Sequence, residues 1–79
     1  MSVLISESEL RDQLQRTNPE FRRLAAEHRS YSEQLEVLNS RHFLSEEEKI
    51  QEITLKKKKL LLKDQMYSLL QRFRKELEV

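Results

Sequence analysis

LKKKKLLLKDQMYSLL, residues 55–70, is the stretch on which the fold of this chain turns. It holds no Gly, no Pro and no β-branched residue, and Leu, Lys, Met and Gln lose little rotamer freedom in a helix. It reads as the centre of one long helix over residues 46–76, on the order of 45 Å long at about 1.5 Å per residue. Two apolar stripes run along that helix. The first is Ile50, Ile53, Lys57, Leu60, Asp64 and Tyr67 at heptad spacing, extended with a small register drift by Leu70 and Leu77. The second is Leu55, Leu62, Met66, Leu69 and Phe73. One stripe suffices to pack on a helix of the same chain, so the other must meet something else.

Upstream, Leu10, Leu14, Thr17, Phe21, Leu24, His28, Tyr31, Leu35, Leu38 and His42 alternate by four and three, a coiled-coil rhythm. Thr17-Asn18-Pro19 interrupts it. Asn18 suits a helix N-cap, and Pro19 fits the first helical position, where its missing N–H is not needed. A break at Asn18 is favoured because an interior Pro costs about 3 kcal/mol, although a kinked continuous helix fits the same pattern. A short helix is therefore expected over residues 7–16, opened by the capping-box spacing of Ser6 and Glu9, and a second over residues 19–41. On the second, Glu20 with Arg23 and Arg23 with Glu27 have ion-pair spacing. Residues 1–5 are apolar but too brief to hold themselves.

The pattern stops at SRHFLS, residues 40–45. Ser45 and Glu48 form another capping box, with Glu46 and Glu47 in the first turn beyond it. So short a connection makes the flanking helices neighbours. The expected fold is all-α: one domain, an antiparallel helical hairpin with a short N-terminal helix. Pivoting near residue 44 sets Leu38 against Ile50, Leu35 against Ile53, His28 against Leu60 and Phe21 against Tyr67. The first stripe then faces inward and the second is left over.

Composition supports a long-helix class and excludes little else. The chain has 79 residues, 37% of them charged, with no Gly and one Pro. Its net charge of +1 gives no overall drive toward nucleic acid or acidic membrane. With no Cys there is no disulfide or thiolate zinc site, which fits a reducing compartment. No apolar run has membrane-spanning length and no secretory leader is legible. A soluble cytoplasmic protein is expected.

Three features could carry function. His28 sits on an apolar face, with Asp64 about one turn away in the pairing above. A polarised His–Asp pair can be a general base or a metal ligand, but no third group completes a site. The pair is read as a register device instead, as buried polar residues are in coiled coils. His42 lies too far along to share a metal with His28 and reads as a solvated loop residue. Lys56–Lys59 point in four directions, yet Lys56, Lys59 and Lys63 share a face and are the candidate phosphate contacts. No aromatic residue interleaves them, and Glu52 is placed to pair with Lys56. Finally, Leu55, Leu62, Met66, Leu69 and Phe73 are either covered by the N-terminal segment through Val3, Leu4, Leu10 and Leu14, or form the interface to another subunit. The second is favoured: a homodimer of hairpins making a four-helix bundle, or a complex with another helical protein. The expectation is a non-enzymatic protein–protein interaction module without catalytic residues, cofactor or metal. A nucleic-acid-binding accessory role through the lysine face is the alternative.

Residues 18–70 resemble the YdcH-like family, small bacterial coiled-coil proteins of unknown function. The likeness rests on Pro19, Phe21, Leu24, His28 and Leu38, and on LKKKKLLLKDQMY, where Lys59, Leu60, Leu62, Lys63, Asp64, Met66 and Tyr67 fill the family pattern. Lys58 and Leu61 depart from it, standing where the family tends to be acidic and polar. The resemblance implies a helical hairpin in the bacterial cytoplasm and implies no reaction.

Overall fold

The computed structural model describes residues 6–77, and these form three α-helices and no strand. Helix α1 spans Glu7–Thr17, α2 spans Pro19–Asn39 and α3 spans Glu46–Leu77. The expectations placed on residues 1–5, including the contribution of Val3 and Leu4 to a cover, lie outside the described residues.

Each helix starts where a side chain satisfies backbone N–H groups that lack intrahelical partners. Ser6 is the N-cap of α1, its hydroxyl accepting from the Glu9 N–H at 3.2 Å. Asn18 serves two helices. Its own N–H donates to the Leu14 carbonyl at 2.8 Å, closing α1, and its Oδ1 accepts from the Phe21 N–H at 3.0 Å, opening α2. Asn18 itself is extended, with φ −116° and ψ 108°, so α1 and α2 are two helices joined by one non-helical residue. Pro19 takes the first turn of α2, where it breaks no hydrogen bond. At α3 the box is reciprocal. The Ser45 N–H donates to Glu48 Oε1 at 3.0 Å, and the Glu48 N–H donates to Ser45 Oγ at 3.1 Å. Arg41 reaches across the loop to the other carboxylate oxygen of Glu48.

Most of the core lies in two clusters, with Leu24 and Leu62 buried outside both. Leu10 and Leu14 of α1, Phe21 of α2 and Leu70 of α3 form one, with Met66, Leu69 and Phe73 packed against it. Leu35 and Leu38 of α2 with Leu55 of α3 form the other, with Tyr31 and Leu44 beside it. The start of α2 thus meets the end of α3, and the end of α2 meets the first half of α3. The molecule is a rod of 55 × 21 × 16 Å.

This packing reverses the expected assignment of the two stripes. Leu38 clusters with Leu55, not Ile50, and Phe21 clusters with Leu70, not Tyr67. Leu55 and Leu62 are buried, and Met66, Leu69 and Phe73 are partly buried in the chain's own core. The stripe expected to be left over is the inner one. The reason is charge. The stripe Ile50–Tyr67 carries Lys57 and Asp64, and turning it inward would desolvate both without a bonded partner. The other stripe carries one charge, the half-buried Lys59 in the slot between Leu55 and Leu62, and adds Leu70, so burying it stabilises more at a smaller polar cost. Leu44, half-buried under the Leu35–Leu38–Leu55 cluster, lets the loop advance α3 to this register.

The surface charges are weakly organised. Glu7–Arg11 at 2.9 Å, Glu46–Lys49 at 3.5 Å and Glu52–Lys56 at 3.0 Å are ion pairs within single helices. Glu20, Arg23 and Glu27, which have the spacing for pairs, form none among the described residues. Exposed pairs of this kind are each worth about 0–1 kcal/mol, so the core and the caps set the fold.

Candidate functional site

With one stripe of α3 turned inward, the other lies on the surface. Ile50 is 64% exposed, Ile53 54%, Leu60 59% and Tyr67 57%. Ile53, Leu60 and Tyr67 recur every seven residues, so on a helix they stand almost in line. Lys57 and Asp64 are exposed between them and are the charged members of the same row. Four large apolar side chains at this exposure offer on the order of 400 Å² of contiguous apolar surface, about the largest patch a monomeric protein leaves to water. These residues were legible as a stripe from their spacing. That they would face outward was not.

This row forms one lip of an open groove between α2 and α3, where Leu60, Asp64 and Tyr67 line it with His28, Ser32, Lys56, Lys59 and Lys63 and with Arg11 of α1. The structure does bring the three lysines of the sequence reading to one place. They are not equivalent there. Lys56 is held by Glu52, whereas Lys59 is half-buried and, like Lys63, makes no ion pair among the described residues. Lys58 turns to the opposite flank, its Nζ 5.8 Å from the centre of the Tyr31 ring, a cation–π contact. Nothing in the sequence placed Arg11 here, because the docking of α1 has no local signal.

His28 and Asp64 both line this groove, but no hydrogen bond or ion pair joins them among the described residues. Asp64 is exposed and His28 half-buried. The His28 imidazole is held below its ordinary value of 6.5, first by burial and then by the nearby charges of Lys59, Lys63 and Arg11. A carboxylate partner would act the other way. The expected register pair makes no direct contact within the chain: His28 and Asp64 stand on the walls of the same groove, Asp64 where the groove meets the exposed row. The Glu48 carboxyl is also held below its ordinary value, chiefly by the Ser45 backbone N–H and hydroxyl. That is a capping effect.

Among the described residues, no three His, Asp or Glu side chains gather as a metal site would need, and no described helix is long and apolar enough to cross a membrane.

A family model described as a protein of unknown function, DUF465, matches residues 21–70, more than half of the chain. The chain belongs to that family. It is the YdcH-like family of small proteins, so the resemblance read from Phe21, Leu24, His28 and the lysine-rich run is correct. No curated protein and no solved structure matches the chain. The DUF465 region runs from the first apolar residue of α2 to Leu70 of α3, and it contains the whole outer row and most of the groove. Helix α1 lies outside it and covers one end, where Leu10 and Leu14 meet Phe21 and Leu70.

Proposed function

We propose that this DUF465 protein is a non-enzymatic interaction module: an antiparallel, coiled-coil-like hairpin of α2 and α3, braced by α1, that self-associates through the outer face of α3. The observation that carries the reading is the row Ile50, Ile53, Leu60 and Tyr67, each more than half exposed, at the spacing that seams one helix to another. A chain of this size without disulfide or metal commonly gains stability by oligomerising. A two-fold pair needs only one self-complementary face.

Sedimentation equilibrium at micromolar concentration tests it. The expected mass is twice the 9.6 kDa of the chain. A monomer mass throughout the range overturns the reading. Ile53→Glu with Leu60→Glu is expected to give a folded monomer, with the helical circular-dichroism signal kept. Leu55→Glu with Leu62→Glu strikes the chain's own core and is expected to remove that signal.

The groove supports a second reading, in which Lys56, Lys59, Lys63 and Arg11 contact the phosphates of a nucleic acid. Its support is the convergence of four cations on one cleft. Such binding must weaken steeply as salt rises. A titration that finds no binding, or binding insensitive to salt, removes it.

A further inference from the structure

We infer that the groove between α2 and α3 binds a small phosphate monoester, its phosphoryl group held by Lys59, Lys63 and Arg11 beside His28 and its apolar body laid on Leu60 and Tyr67. The inference does not rest on the self-association proposed above. It shares its cations with the nucleic-acid reading and replaces the polymer with a single anion. The placement follows from spacing. Lys59, Lys63 and Tyr67 stand four residues apart on α3, about 6 Å per step, so they share a face. His28 and Ser32 have the same spacing on α2 and form the facing wall. Helix α1 brings in Arg11. The charges of Lys59, Lys63 and Arg11 all bear on the His28 imidazole, so three cations from two helices converge on one point. Neither lysine has a carboxylate partner among the described residues. Lys59 is half-buried, where an uncompensated charge is costly and gains most from an anion. Arg11 gives one Nη to Glu7, and the rest of its guanidinium makes no hydrogen bond among the described residues.

The chemistry of the walls selects the ligand. A phosphoryl group carries about −1.5 to −2 charge at neutral pH and three acceptor oxygens, so it answers three cations as a carboxylate does not. Charge balance favours a small ligand over a polymer. Arg11 and three lysines against Glu36 and Asp64 give the groove a charge of +2, whereas the whole chain carries +1. The surface beyond the groove therefore offers no attraction to the further phosphates of a polymer. Leu60 and Tyr67 on the lip, one turn from the lysines, give an apolar or aromatic body a shelf beside its anionic head.

Phenyl phosphate, inorganic phosphate and benzyl alcohol are titrated into the native chain at neutral pH, with ionic strength held constant by sodium chloride, and followed by NMR. The exposed loop residue His42 is an internal reference. The His28 ring and the Ser32 amide are expected to shift along a saturable curve with phenyl phosphate, more weakly with inorganic phosphate and not with benzyl alcohol, while His42 stays. Lys59→Gln and Lys63→Gln keep both core clusters, and each is expected to weaken phenyl phosphate binding on the order of tenfold. Tyr67→Ala should lower the affinity for phenyl phosphate to that for inorganic phosphate and leave the latter unchanged. Shifts that do not saturate, shifts that His42 shares, or native affinity in Lys59→Gln with Lys63→Gln overturn the inference. A single-stranded oligothymidylate that binds where phenyl phosphate does not gives the groove to the nucleic-acid reading and overturns this one. Binding by neither overturns both, and every one of these outcomes leaves the mass measured by sedimentation to judge self-association separately.

Discussion

The His28 imidazole shows how one residue records its surroundings. It faces Lys59 and Lys63 of α3, Arg11 of α1 and the groove carboxylates Glu36 and Asp64, and burial and the cations together hold its proton affinity down. The unfolded chain therefore binds more protons than the folded chain just below the ordinary value of 6.5. Stability falls as pH drops through that window to the folded value and then levels. The effect is modest because the ring is partly solvated and the lysines are screened. Urea midpoints at about pH 7.5 and about pH 5.5 are expected to differ more for the native chain than for His28→Gln. The lower pH stays above the range in which Glu48, also held below its ordinary 4.5, takes up its proton. An equal or larger difference in His28→Gln rejects this account. Residue-scale features were the most legible in the sequence. Ser6, Asn18 and Ser45 each cap a helix through the N–H three residues on, a contact set by local spacing alone.

At the scale of elements, local spacing stops being sufficient. Helix α3 has two stripes with the same heptad rhythm, and rhythm cannot say which turns inward. The charges could have said it. Lys57 and Asp64 sit in one stripe and only Lys59, whose long stem keeps it half-exposed, sits in the other, and an unpaired buried charge outweighs a small gain in apolar match. The turn gave misleading guidance, since a pivot near residue 44 differs by about one helical turn from the packing that Leu44 permits. Helix α1 rests on little besides Leu10 and Leu14, which are 1% and 2% exposed. An 11-residue helix is marginal by itself in water. Leu14→Ala should remove about 2–5 kcal/mol of docking free energy, enough to release α1 while α2 and α3 keep the Leu35–Leu38–Leu55 cluster. Hydrogen exchange checks it. Amides of Glu7–Thr17 are expected to lose protection first, with those around Leu35 and Leu55 retained. Uniform loss across all three helices would mean that α1 is part of one cooperative unit.

The whole molecule is long for its length of chain. Its radius of gyration is 16.2 Å, where a compact chain of this size has about 12 Å. A rod exposes more surface than a sphere, and a chain of this length buries only about 60% of its unfolded surface even when compact. The two clusters lie apart along α3, and from Ile50 to Tyr67 the same helix shows its apolar row to water. Association on that row supplies burial that the single chain lacks, and it acts on the folded state alone. The unfolding temperature must then depend on concentration. Each tenfold rise shifts the equilibrium by about 1.4 kcal/mol per dimer, or about 0.7 kcal/mol per chain. For a domain of this size that moves the transition upward by about 3–5 °C. Thermal melts at two concentrations a decade apart are expected to show this shift in the native chain and none in Ile53→Glu with Leu60→Glu, which keeps both core clusters. Identical transitions for the native chain at the two concentrations would mean that the folded rod stands alone, with its apolar row contributing nothing to stability.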